Sequence, residues 1–105
     1  MFDEDATFLV GHFPKAKGFE QIAAGAQAVY NMCTELKHET TLLHSVRENL
    51  FITEGTVTYT ASGQVLAPIP LVSVFELVEE SDKIKDYRAY LDINALLIAA
   101  ANPVR

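Results

Sequence analysis

Lys83-Ile84-Lys85-Asp86-Tyr87-Arg88-Ala89-Tyr90-Leu91-Asp92 is the stretch whose reading decides the fold. Its residues alternate, with Tyr87, Ala89 and Leu91 on one face and Arg88 and Tyr90 on the other, the period of a β-strand. It closes on an acid. Asp92 stands where the N-cap of a short helix over residues 93–101 belongs, and Asn102-Pro103 would stop that helix.

Outward from this strand, the chain upstream is mostly strand as well. Glu80-Ser81-Asp82 turns into it from a third long strand, residues 65–79, where Pro68 and Pro70 favour an edge, a bulge or a late start. Residues 50–61 alternate most clearly, with Glu54, Thr56, Thr58 and Thr60 opposite Phe51, Thr53, Gly55, Val57 and Tyr59. Ala61-Ser62-Gly63-Gln64 is a hairpin connection. Residues 37–48 read as a half-buried strand ending at the turn Arg47-Glu48-Asn49. His38, Thr40, Leu42, His44 and Val46 are expected on one of its faces, and Glu39, Thr41, Leu43, Ser45 and Arg47 on the other.

Before these strands the period changes. Phe19, Ile22, Ala23, Ala26, Val29, Tyr30 and Cys33 recur at spacings of three and four, which predicts a helix over residues 19–35 with an apolar stripe. Gly25 inside it costs roughly 1 kcal/mol against Ala and is read as room for close packing. A short strand over residues 6–10 and a Pro/Gly loop over residues 13–18 come first. Strand, helix and four long strands give an α+β fold, a helix laid on a curved antiparallel sheet. Such a sheet with one helical wall is a cone, and the mouth of a cone is a ligand site.

The 105 residues are read as one domain. A net charge of -6, with the eight basic residues scattered, argues against a phosphate-binding surface and makes nucleic acid an unexpected partner. Cys33 is the only cysteine, so no intrachain disulfide forms and a reducing, cytoplasmic setting is expected. Met-Phe-Asp-Glu-Asp is acidic where a secretory signal is basic, and the apolar run at residues 95–101 is too short to span a bilayer. His12, His38 and His44 lack ligand spacing and paired acids, so neither metal nor cofactor is expected.

Several pieces in order resemble the SnoaL-like branch of the superfamily that includes ketosteroid isomerases, limonene epoxide hydrolases and nuclear transport factor 2. They are Phe2-Asp3-Glu4-Asp5-Ala6-Thr7-Phe8, then Pro14, Gly18 and Ile22 at the helix start, and His38 opening a strand. Glu54-Gly55-Thr56-Val57-Thr58-Tyr59, Pro70 with Val74-Phe75-Glu76-Leu77, and the strand 83–92 complete the set. The resemblance implies a cystatin-like cone and a homodimer formed through the sheet. That family usually carries a further helical segment before the first of these pieces, which this sequence lacks. The helix covers the pocket and in isomerases can carry a catalytic tyrosine.

The resemblance also implies where chemistry would sit. The positions that hold and activate water in the epoxide hydrolases fall on Phe8, Val10, Gly55, Val57 and Ala89, all apolar or glycine, so the general acid and base of that route are missing. Through the same alignment Tyr87, Ala89 and Leu91 point inward with Ile69, Leu71, Ser73, Phe75 and Leu77. With Phe8, Val10, Val29, Cys33, Val57 and Tyr59 they would line an apolar pocket with a few polar tips. It would take a small apolar molecule, aromatic or polyketide-like. The alternative is that these side chains simply fill the cone.

The catalytic candidates are His38, whose ordinary pKa of about 6.5 suits acid–base work, and Asp92, where the family tends to keep an acid. For His38 a strand-end hydrogen bond competes, and for Asp92 the N-cap role does. Cys33 is read as core, since nothing near it would activate a thiolate. Thr56, Thr58, Thr60, Val72, Val74, Arg88 and Tyr90 make an outer face suited to dimerisation. Three functions remain: a ligand-binding domain, an isomerase, cyclase or dehydratase using His38, Tyr59, Tyr87 or Asp92, and a non-catalytic interaction domain with a filled core.

Overall fold

The structure is a computed structural model, and it describes residues 2–11 and 13–101. The elements in chain order are β1 (Phe2–Val10), β2 (Ala16–Lys17), α1 (Gly18–Tyr30), β3 (Glu35–Arg47), β4 (Leu50–Ala61), β5 (Gln64–Val65), β6 (Ile69–Leu77), β7 (Ile84–Tyr90) and α2 (Asn94–Ala101). The strands form one sheet in the order β2-β1-β7-β6-β4-β3, with β5 paired to β4. This is the α+β cone expected from the element order. The opening stretch becomes β7, and it lies at the middle of the sheet between β6 and β1.

One pairing departs from the antiparallel pattern. β1 runs parallel to β7, with Phe8 opposite Tyr87 and Val10 opposite Ala89. The long connection from β1 through α1 and three further strands makes that possible, because parallel neighbours need a crossover. The Thr7 hydroxyl donates to Asp86, and Arg88 pairs with the same carboxylate, which ties β1 to β7 on the outer side.

α1 stops earlier than its apolar spacing predicts. The Asn31 N–H bonds the Gln27 carbonyl at 2.9 Å, and by Thr34 the backbone already donates to Thr60 of β4 at 2.8 Å. Residues 31–33 turn back onto the end of α1, pairing with β4 takes over from Thr34, and Cys33 lies in that turn rather than on the helix. Of the predicted stripe, Ile22 is buried, whereas Phe19 and Tyr30 are exposed. Gly25 has open space where a Cβ would go, so it is not a packing glycine.

β3 also departs from strict alternation. His38 lies opposite Val57 and Thr40 opposite Gly55, but the next pair is Leu42 with Glu54. The extra residue, Thr41, is a bulge, and its hydroxyl donates to the Glu54 carbonyl at 3.1 Å. Beyond it the faces exchange: Leu43 and Ser45 fall in with His38 and Thr40, while Leu42 and His44 turn outward. The expected grouping of His38 with Leu42, His44 and Val46 is thus corrected. Opposite the bulge, a Cβ on Gly55 would come within 1.9 Å of the Glu39 carbonyl oxygen, so only glycine fits that bend.

The turn Ser62-Gly63 has positive φ at both positions, 52° and 77°, as a two-residue type I′ hairpin requires. The main core joins Val57, Tyr59 and Ala61 of β4 to Ile69, Ile93 and Leu96, with Val29 and Met32 packed against it. A smaller cluster of Ala6, Ala16 and Ile22 holds α1 against β1 and β2. Asp92 lies one residue before its expected N-cap place: α2 begins at Asn94, the Ile93 carbonyl accepts the Leu97 N–H at 3.0 Å, and the Asp92 Oδ1 accepts the Asn94 N–H at 3.0 Å just ahead of the helix. His12 and the Asn102-Pro103 stop lie outside the described residues.

Candidate functional site

The concave face of the sheet is built from two kinds of cross-strand row. One row is aromatic: Phe8, Tyr87 and Phe75 lie side by side on β1, β7 and β6. The Phe8 and Tyr87 rings stack at 5.2 Å and 26°, Phe75 meets Tyr87 at 4.9 Å, and Phe2 closes on Phe8 edge-on at 5.8 Å. The neighbouring row is small. Val10, Ala89, Ser73 and Thr53 follow one another across four strands, and Leu71 lies opposite Gly55 in the next row. Aromatic side chains make the wall and small ones leave the space.

α1 spans that space from above with Ile22, Ala26 and Val29. What remains is a cavity of about 530 Å³, within the range of about 300–1,000 Å³ for small-molecule sites. The cone is therefore not filled by its own side chains. Of the residues predicted to line it, Phe8, Val10, Val29, Tyr59, Leu71, Ser73, Phe75, Tyr87, Ala89 and Leu91 do so, and His38 joins them. Val57 and Cys33 do not. Val57 is fully buried in the core below, and Cys33 packs against that core with its thiol donating to the Val29 carbonyl at 3.6 Å. Asp92 is outside the cavity as well.

The sequence reading missed Ile22, Ala26, Leu36, Phe2, Thr53 and Gly55 as lining residues. The first two had a signal, since they precede Val29 by seven and three on the helix stripe. Leu36 had one too, because it alternates with His38. Phe2 had none, because the register of β1 slips between Phe2 and Thr7.

The cavity's polar groups are few. Among the described residues Ser73, 3% exposed, is the buried polar one, and its hydroxyl shares a hydrogen bond with the Tyr87 hydroxyl at 3.2 Å. Tyr59 is 4% exposed. Burial pushes its phenol above the ordinary value of 10.0, and Cys33 and Tyr87 nearby push the same way. Burial likewise raises the Cys33 thiol, which keeps it protonated and unreactive. His38 stands at the exposed rim, on the inward face of β3. Two acids also border the cavity, but their carboxylates pair elsewhere: Glu39 with Lys37 at 3.6 Å and Glu54 with His44 at 3.3 Å. No group of three or more metal-ligating side chains is found among the described residues.

The outer face of the sheet is mixed. Val72 lies opposite Tyr90 and Val74 opposite Arg88, with Thr56 opposite Pro70. Arg88 also donates to the Tyr90 hydroxyl at 3.1 Å. Among the described residues no helix is long and apolar enough to cross a membrane.

No family model matches the sequence, and no curated protein matches it by sequence. Solved structures match its shape closely. A provisionally assigned SnoaL-like polyketide cyclase from Jannaschia sp. CCS1 superposes with a TM-score of 0.77 at 17% identity, over 98% of this chain and 75% of that one. An NTF2-like protein of unknown function from Burkholderia pseudomallei K96243 gives 0.81 at 13% identity, over 94% and 79%. TerC, co-crystallised with polyporic acid, gives 0.79 at 13% identity, over 96% and 81%. At these identities the likeness establishes the fold, the cystatin-like cone of NTF2-like and SnoaL-like proteins.

Proposed function

We propose that this chain binds a small apolar molecule, aromatic or polyketide-like, inside the cone. The observation that carries the reading is the open cavity itself: about 530 Å³ bordered by aromatic and aliphatic side chains, where a well-packed core would leave no such space. Neighbours of the same fold support it, one of them holding polyporic acid.

The test is occupancy. Neutral aromatic and polyketide-type compounds should raise the melting temperature, since a ligand at about a hundred times its Kd adds about 2.7 kcal/mol. Ala89→Phe, which fills the small row beside Ser73, should fold and abolish that shift. Equal shifts in both proteins would mean that the compounds bind elsewhere.

A catalytic reading, as an isomerase, cyclase or lyase, is favoured by one observation: the His38 imidazole borders the same cavity as the Tyr59 and Tyr87 hydroxyls. We leave Asp92 out of this reading, because its Oδ1 accepts the Asn94 N–H at the start of α2. A loss of turnover in His38→Gln with ligand binding intact would establish it.

The wider assignments follow the same reading. We take the outer sheet face around Val72, Val74 and Tyr90 as a homodimer interface, and the protein as cytoplasmic without a nucleic-acid partner. Sedimentation of Val74→Glu tests the first point, because a buried charge there would leave a monomer.

A further inference from the structure

The cavity is long for its volume. It borders successive cross-strand rows of the sheet, at Phe75, Ser73, Leu71, His38 and Tyr59. Along β4 these are the rows of Phe51, Thr53, Gly55, Val57 and Tyr59. Because Phe75 lies opposite Phe51, the Phe75 and Tyr59 levels are eight residues apart, about 26 Å of extended strand. Phe2 and Ile84 carry the lining on past Phe75. A volume of about 530 Å³ over that length leaves a mean cross-section of about 20 Å², the girth of one hydrocarbon chain. The space is a trough along the strands rather than a chamber.

The side chains agree with that shape. Ala89 and Ser73 are small and deepen the trough between the Phe75 and Leu71 rows. On α1 the lining runs from Ile22 to Tyr30, about 12 Å of helix, so the helix covers no more than half of the length. The Phe8, Tyr87 and Phe75 rings meet one another at 5.2 and 4.9 Å, which leaves no slot for a flat ring between them. Among the described residues no Lys, Arg or Asp borders the cavity, and Glu39 and Glu54 pair with Lys37 and His44. A charged headgroup drawn into the trough would find no counter-ion, and burying it unpaired is costly.

We infer that the cavity takes a neutral, unbranched hydrocarbon chain, such as that of a fatty alcohol or ester, extended along the strands beneath α1. This rests on the cavity being a ligand site, and it narrows the ligand from an apolar molecule in general to a linear one. A compact ring system would occupy two or three of the rows and leave the rest of the trough unfilled. A chain follows all of them, and every added methylene buries further apolar surface.

Calorimetric titration with straight-chain primary alcohols from octanol to tetradecanol, each below its solubility limit, reads the length directly. Affinity should rise by about threefold per added methylene across the whole series. Levelling off already at decanol would mean a short chamber and overturns the inference. Thr53→Phe sets a ring across the trough one row in from Phe75. That variant should bind octanol as the wild type does, which also shows that it is folded, and gain nothing beyond dodecanol. A series that Thr53→Phe leaves unchanged overturns the placement along the strands. If aromatic compounds bind and no alcohol does, the linear ligand falls and the cavity remains a ligand site. If neither class binds, both readings fall together.

Discussion

The two halves of the β3–β4 hairpin differ sharply in burial. In the half next to α2, Val57, Tyr59 and Ala61 are buried and belong to the main core. In the half nearer the turn at Glu48–Asn49, no residue of either strand is buried, and Leu43 and Val46 are more than half exposed. The boundary between them is the bulge at Thr41 facing Gly55. One long hairpin thus does two jobs. Its base packs into the core at the floor of the cavity, and its far half, where Thr53 and Glu54 still border the cavity, runs on as an exposed edge of the sheet. The radius of gyration, 14.6 Å, exceeds the about 13 Å of a compact chain of this length, as such an extension requires.

Breaking the boundary should have the largest effect. Gly55→Ala places a methyl where the Glu39 carbonyl oxygen already sits, and neither backbone can move without losing ladder bonds. A loss of about 3 kcal/mol in denaturant unfolding is expected, at the upper end for overpacking. If Ala is accepted at no cost, the bend is not held there. Next comes the base itself. Leu96 is fully buried against β4, and Leu96→Ala should cost about 2–3 kcal/mol. By contrast Leu43→Ser, in the far half, should change stability by less than about 0.5 kcal/mol. Comparable losses for Leu96→Ala and Leu43→Ser would mean that the far half is buried in solution, as in a dimer.

Two smaller effects sharpen the base. Asp92→Ala should cost about 1 kcal/mol by removing the bond to the Asn94 N–H at the start of α2, and Asp92→Asn almost nothing, because the Asn side-chain oxygen accepts the same bond. If Asp92→Asn were to lose activity at unchanged stability, the acid would have a chemical role after all. On α1, Gly25→Ala should stabilise the fold by about 0.5–1 kcal/mol, since nothing lies within 4 Å of the added methyl. The same substitution thus has opposite signs at Gly25 and Gly55.

That contrast also marks what the sequence could show. Alternation identified β4 with its observed limits and placed Leu71, Ser73, Phe75, Tyr87 and Ala89 on one face, because the pleat fixes direction wherever pairing is regular. Regular pairing fails at three places, and the reading fails with it. The bulge at Thr41 reverses the faces of β3, the pull of β4 shortens α1, and the slip in β1 hides Phe2. None of these leaves a local signature, since each is set by a neighbouring strand far away in sequence. Gly55 looked like one more residue of an alternating strand, and only the path of β3 across it shows why it is glycine.

Tyr59 gives the smallest effect at neutral pH and the most diagnostic one above it. Among the described residues its hydroxyl has no hydrogen-bond partner to lose, so Tyr59→Phe should alter stability at pH 7 by less than about 0.5 kcal/mol. The phenol's pKa is raised in the folded state, by burial first and by Cys33 and Tyr87 next. In the unfolded chain it ionises near its ordinary value of 10.0, so above that pH the unfolded state holds fewer protons than the folded one. Stability is then fully present below pH 10.0 and falls as pH rises through the raised folded value. Denaturant midpoints measured on both proteins at pH 8 and again above pH 10 should therefore agree at the lower pH and diverge at the higher, with Tyr59→Phe the more stable there. If instead the two proteins lose stability in parallel, the Tyr59 hydroxyl is as well solvated as the exposed half of the hairpin, and the base of the cone is not the closed floor its burial describes.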